Sequence, residues 1–119
     1  MTRFWFHAAA AALLLPCAAL AFNSYVLRDL PVRYMTDEDR EILRVAVDDA
    51  LERARDGESM HWENPKTGAK GDLMPRASFE RAGQRCRDLE VANSARGRSN
   101  RLVVTLCKQA DGEWKIDSR

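Results

Sequence analysis

The sequence has few cysteines and histidines and almost no net charge, and each shortage argues against a class of function. There are three cysteines and two histidines in 119 residues. Only Cys86, Cys107 and His61 lie beyond the N-terminal apolar run, and a structural zinc site takes four nitrogen or sulfur ligands, so we predict no metal site, and no motif indicates a cofactor. Lysine and arginine number 19 against 18 acidic residues. A chain so close to neutral sets up no long-range field that attracts nucleic acid, so we predict no nucleic-acid partner.

Long apolar runs are also scarce, and the clearest one lies near the N-terminus. Residues 8–21 end in Ala19-Leu20-Ala21, the small-x-small pattern that signal peptidases recognise. We therefore predict a cleaved signal peptide at residues 1–21 and export to the periplasm of a Gram-negative bacterium. One alternative is a retained membrane anchor, since the run is just long enough to span a bilayer. Another is a lipoprotein modified on Cys17, which the preceding proline disfavours. Membrane contact is expected only if the segment is retained.

If the protein is exported, the other two cysteines are expected to form a disulfide. Cys86 and Cys107 remain after cleavage, and an even pair in a small exported domain is most simply one disulfide. Closing such a loop stabilises the folded state by about 3 kcal/mol. If the two cysteines lie opposite each other in an antiparallel pair, the apolar residues of both strands gather on the other face of the sheet. These residues are Leu89, Val91, Leu102, Val104 and Leu106.

The remaining patterns predict an α+β fold, in which one amphipathic helix packs on a small antiparallel sheet, a meander of four to five strands. Thr36 is the predicted N-cap, because acidic residues fill the next turn, and Gly57 is predicted to end the helix in a left-handed conformation. Pro75 predicts an edge or a bulge in its strand. The predicted strands are residues 59–63, 72–79, 84–92, 101–108 and 114–116, with loops at 64–71 and 93–100. An extended lead segment, residues 22–35, precedes a single domain, residues 36–119.

An ordered set of short motifs then points to a family. They are Trp62-Glu63-Asn64-Pro65-Lys66-Thr67-Gly68, Gly71, Cys86-Arg87, Cys107 and Asp111-Gly112-Glu113-Trp114. This order resembles the C-terminal domain of the rickettsial 17 kDa surface antigen family over residues 58–116. The resemblance implies a small exported α+β or mostly β domain, with the disulfide expected and no established catalytic role. Family members often carry a lipobox and a glycine zipper, but here Pro16 interrupts the lipobox and residues 22–57 contain no glycine repeat.

Three features together suggest a binding surface: the turn at residues 64–71, which we call the motif turn, two tryptophans, and a hairpin rich in arginine. The arginines of this hairpin are Arg85, Arg87, Arg96, Arg98 and Arg101. The candidate residues are Trp62, Asn64, Lys66, Thr67, Gly68, Arg85, Arg87 and Trp114. We therefore expect a non-enzymatic protein of the cell envelope with a binding or structural role, whose partner is an envelope component or another protein. One alternative is an inhibitor that presents the loop 64–71 to a hydrolase. A second is a small hydrolase of envelope glycans or peptides, which would need a pocket that brings His61 to Glu63 or Asp72.

Overall fold

A computed structural model describes residues 30–117, which form one α-helix against a five-stranded antiparallel sheet. A 3-10 helix, Pro31–Tyr34, precedes the helix α1, Asp37–Arg53. The strands are β1 Met60–Glu63, β2 Lys70–Arg81, β3 Gln84–Ala95, β4 Arg98–Lys108 and β5 Trp114–Ile116. Each strand pairs with the next along the chain, so the order in the sheet is β1-β2-β3-β4-β5. The predicted α+β class and antiparallel meander are confirmed.

Most of the N-terminal predictions lie outside the described residues. This holds for the signal peptide, residues 1–21, and for residues 22–29 of the lead segment. The rest of the lead segment is not extended as predicted, because it contains the 3-10 helix. Pro31 has a fixed φ that suits a helical turn, and the N–H of Arg33 donates to the Leu30 carbonyl at 3.0 Å. The described part of the chain includes no helix with the length and apolarity of a membrane span.

The N-terminus of α1 lies where the sequence predicts it, but the C-terminus does not. Thr36 accepts from the N–H of Asp39 at 3.1 Å, while the Asp39 carboxylate accepts from the N–H of Thr36 at 2.9 Å, a reciprocal capping box that confirms the predicted N-cap. The helix ends at Arg53, short of the predicted stop at Gly57. Gly57 is left-handed, with φ 87°, but it lies in the following turn and donates to the Pro75 carbonyl at 2.7 Å.

The pairing of β3 with β4 has the predicted register. Cys86 is bonded to Cys107 and lies opposite it, and Leu89 lies opposite Val104. The predicted loop 93–100 is wrong, because both strands continue to the two-residue turn Arg96-Gly97. Both turn residues have positive φ, 49° and 75°, as in the type I′ turns that match the twist of a hairpin. The irregularity predicted at Pro75 is present as a shift of register between Pro75 and Ala77.

Alternation along the strands gives the sheet a core face, which α1 covers, and an open face. Leu51 of α1 meets Leu73 and Leu89 on the core face, and all three are fully buried. The predicted apolar set shares this face, but Leu102 is 37% exposed, because α1 packs mainly against β1 and β2 rather than β4. The disulfide lies on the opposite, open face, together with most of the polar side chains of the strands.

Candidate functional site

The eight predicted surface residues do not form one surface. Trp62, Asn64 and Arg87 are 4%, 2% and 5% exposed, so these three are corrected from contact residues to interior ones. Trp62 belongs to β1 and Trp114 to β5, which are the two edges of the sheet. The two tryptophans therefore cannot make one aromatic patch, and the buried residues have structural roles.

The buried side chain of Trp62 packs directly on the backbone of Gly71. Its indole N–H donates to the Asn93 Oδ1 on β3 at 3.1 Å, and Gly71 on β2 lies between them in the sheet. A Cβ at Gly71 would lie 2.5 Å from both the Trp62 Nε1 and the Asn93 Oδ1. Glycine is therefore required here because a side chain and a neighbouring strand approach its backbone closely.

The motif turn at Asn64 is fastened to the N-terminus of α1. The buried Asp39 carboxylate accepts from Asn64 Nδ2 at 2.6 Å and from the Thr67 hydroxyl at 2.7 Å. Burial by itself raises the pKa of Asp39, but the hydrogen bonds from Thr67, Thr36 and Asn64 outweigh it and hold the pKa below its usual value. Lys66 is exposed and pairs with Glu38 at 3.2 Å.

Arg87 closes the other end of α1. Its guanidinium donates five hydrogen bonds of 2.8–3.2 Å, to the carbonyls of Ala50, Leu51 and Ala54, the Ser78 hydroxyl and the Asp56 carboxylate. The last turn of a helix leaves carbonyls without internal donors, and a cation there is favoured by the helix dipole. Arg87 thus takes the place of the expected glycine cap. The hydrogen bonds from Arg87 and then Ser78 also lower the pKa of Asp56.

Trp114 on β5 packs against α1, and the exposed Arg85 on β3 lies beside it. The half-buried Trp114 donates its indole N–H to Glu52 of α1 at 2.9 Å, and Lys108 donates to the same carboxylate oxygen at 2.8 Å. These two hydrogen bonds, that of Lys108 first, lower the pKa of Glu52. The Arg85 guanidinium lies 5.9 Å from the centre of the Trp114 ring. The arrangement packs β5 on α1 and leaves Arg85 at the surface.

A groove of about 400 Å³ lies on the open face, at the end of the sheet where β1 ends and β2 begins. We call it the open-face groove. Most of the residues that line it belong to two rows that cross the sheet. The first row is His61, Asp72, Ala92 and Arg101, and the second contains Lys70, Ser94 and Ser99. The alanine and serines are short and form the floor, whereas the charged side chains are long and form the rim.

His61 is held at the rim by two carboxylates. Its Nδ1 lies 3.0 Å from the Asp72 Oδ1 and its Nε2 lies 3.5 Å from the Glu63 Oε2. These hydrogen bonds, that of Asp72 first, raise the pKa of the imidazole, because both favour the charged form. The hydrolase hypothesis required His61 to meet Glu63 or Asp72, and the structure brings it to both. Within residues 30–117, however, no hydroxyl is bonded to either ring nitrogen.

The rest of the groove offers hydrogen-bond donors. Arg101 is exposed and is held by Glu90 at 2.6 Å, while Lys70 extends from the start of β2. No group of three or more metal-ligating side chains is placed to hold an ion in the part of the chain that the structure describes. The arrangement is therefore suited to polar binding. The eight predicted contact residues do not include Lys70, Ser94, Ser99 or Arg101, which the register of β2, β3 and β4 brings together.

Comparisons with known proteins agree on one family. A family described as 17 kDa outer membrane surface antigen matches residues 49–115. The 17 kDa surface antigen of Rickettsia bellii (strain RML369-C) is 31% identical over 83 residues, which are 69% of this chain and 52% of the relative. That of Rickettsia prowazekii (strain Madrid E) is 31% identical over 81 residues, 67% of this chain and 51% of the relative. The chain thus spans about half the length of the curated relatives it matches. No solved structure gives a significant match.

Proposed function

Because this chain belongs to the 17 kDa outer membrane surface antigen family, we propose that it is an exported envelope protein that acts by binding rather than by catalysis. The observation that carries the binding role is the open-face groove. The side chains of the motif residues Trp62, Asn64 and Arg87 are buried and make hydrogen bonds within the fold. The groove side chains, by contrast, lie on the open face of the sheet, opposite the face that α1 covers.

The disulfide supports export to the periplasm. Thiols in the cytosol are kept reduced, whereas an oxidising compartment allows a structural disulfide to persist. Cys86 and Cys107 are 1% and 2% exposed and lie opposite each other in two long strands. The bond is therefore part of the sheet and protected from solvent, as expected of a structural disulfide.

A hydrolase based on His61 has weaker support. A general base needs one ring nitrogen directed at a nucleophile or a water, with a partner that orients the other nitrogen. Here Asp72 can orient Nδ1, but Glu63 lies within reach of Nε2. His61 therefore has an orienting group on both sides, an arrangement that fixes the ring at the rim and directs neither nitrogen at a nucleophile.

An inhibitor that presents the motif turn is the second candidate. Hydrogen bonds from Asn64 and Thr67 to Asp39 fix the shape of the turn on both sides of Lys66. A fixed loop loses little conformational entropy when it binds, which favours tight inhibition. Lys66 is the exposed charged side chain of this turn and is the residue that a target enzyme would contact.

Photo-crosslinking in the native envelope tests the two candidates together. A photoreactive amino acid would be placed at Ser99 in the groove, at Lys66 in the turn, or at Val45, which is 46% exposed on α1 and serves as the control. We expect adducts from Ser99 in the envelope fraction and none from Val45. If only the Lys66 variant gave adducts, and these contained one enzyme in stoichiometric amount, the binding role of the groove would be refuted and the inhibitor hypothesis would be supported.

Thiol trapping of the same fractions tests the location. We expect Cys86 and Cys107 of the processed protein in the envelope fraction to react with a thiol reagent, under denaturing conditions, only after reduction. A protein found in the cytosol with Cys86 and Cys107 both reactive would contradict export.

A further inference from the structure

The open-face groove has donors that the fold leaves without partners. Lys70, Ser94 and Ser99 lie side by side in one row, since Lys70 is opposite Ser94 and Ser94 is opposite Ser99. None of the three side chains makes a hydrogen bond or ion pair with another residue between 30 and 117. One ammonium and two hydroxyls directed to the same space form a set that suits an oxygen anion.

The neighbouring row is already fixed by its own contacts. Arg101 is held by Glu90 at 2.6 Å, and Asp72 is held by His61 at 3.0 Å, with the short Ala92 between them. A side chain whose orientation is set before binding loses less entropy when a ligand arrives. The groove thus presents a preformed cation on one side and a preformed carboxylate on the other.

The balance of charge decides which anion fits. Arg101 is already paired with Glu90, and Asp72 adds a carboxylate beside Lys70, so a multiply charged phosphate would meet repulsion as well as attraction. A single carboxylate with an ammonium group nearby matches both signs. Lys70 and Asp72 are two residues apart in β2 and lie on the same face of the sheet, so one small ligand can contact both side chains.

We propose that the open-face groove binds a short zwitterionic peptide, with its carboxylate at Lys70, Ser94 and Ser99 and its ammonium at Asp72. The proposal rests on the binding role proposed above and names the class of ligand. A groove of about 400 Å³ lies toward the small end of ligand pockets and suits a short peptide fragment.

Amide NMR titrations with matched dipeptides test this proposal. The probes are dialanine, dialanine with an amidated C-terminus, N-acetyl-dialanine and inorganic phosphate. We expect dialanine to shift the resonances of Ala92, Ser94 and Ser99, and amidation to weaken binding at least tenfold, because it removes the carboxylate. Lys70→Gln should weaken dialanine binding to a similar extent and make it insensitive to amidation. Asp72→Asn should make binding insensitive to N-acetylation instead.

Lys115→Gln is the control, since Lys115 is also an exposed lysine of a strand but lies in β5, away from the groove. Its affinity for dialanine should be unchanged, and unshifted resonances elsewhere in Lys70→Gln would show that this variant is folded. Tighter binding of phosphate than of dialanine, or shifts that map outside the groove, would overturn the ligand class. Absence of dialanine binding would do the same. Adducts from the photoreactive Ser99 variant would leave the binding role standing in all these cases.

Discussion

Arg87 offers the strongest test of how this fold is held together. Replacing it by methionine keeps most of the buried stem and removes every donor. The Ala50 carbonyl would keep the N–H of Ala54 as a partner at 3.0 Å, but the carbonyls of Leu51 and Ala54 would lose the guanidinium that donates to both at 2.8 Å. Each buried acceptor left unpaired costs about 1–3 kcal/mol. We therefore expect Arg87→Met to lower the free energy of unfolding by about 3–5 kcal/mol.

Urea unfolding of the oxidised protein measures this change, and two further variants make the result specific. Arg87→Lys should fall between wild type and Arg87→Met, because an ammonium reaches fewer of the acceptors than the planar fork of arginine. Arg85→Met is the control on the same strand. Arg85 is exposed, so its loss should change stability by less than about 0.5 kcal/mol. An Arg87→Met variant within about 1 kcal/mol of wild type would show that the helix end does not depend on this residue.

Two other changes probe the remaining structural motifs. Gly71→Ala should destabilise the domain by about 2–3 kcal/mol, since the new Cβ must displace Trp62 from Asn93, and a loss below about 1 kcal/mol in urea unfolding would contradict the close approach. Asp39→Asn should cost about 1.5–3 kcal/mol at pH 7, because the carboxylate accepts charge-assisted hydrogen bonds. The folded pKa of Asp39 is lowered, so its stabilisation is complete above the unfolded pKa of about 3.9 and is lost as the pH falls toward the folded value. The difference between wild type and Asp39→Asn should therefore shrink at pH 3, and a difference that is constant or larger there would refute this origin.

The sequence predicts those features whose cause is local or is repeated by two independent signals. Thr36 caps α1 because its own hydroxyl and the carboxylate three residues later complete the box, both of which are visible in the sequence. The register of β3 on β4 follows from Cys86 and Cys107 and again from the alternation of apolar residues between them. A slip by one residue would have violated both signals.

Features that depend on contacts distant in sequence are not visible in that way. The predicted register puts Arg87 on the same face as Leu89, but only the crossing of α1 over the sheet shows that its guanidinium reaches the helix end. The groove is hard to predict from the sequence because of the bulge near Pro75. Counting pairs back from the turn between β2 and β3 would place Asp72 opposite Asn93, whereas the shifted register places it opposite Ala92. An error of one residue exchanges the two faces of the strand.

The meander also decides how the cysteines find each other. Every strand pairs with its chain neighbour, so the sheet forms without a crossover between strands distant in sequence. Closure of the hairpin at Arg96-Gly97 brings Cys86 and Cys107 opposite each other. Hairpins form in microseconds, whereas thiol oxidation takes seconds or longer. The backbone therefore places the two cysteines opposite each other first, and oxidation then makes permanent a pairing that the hairpin has already formed.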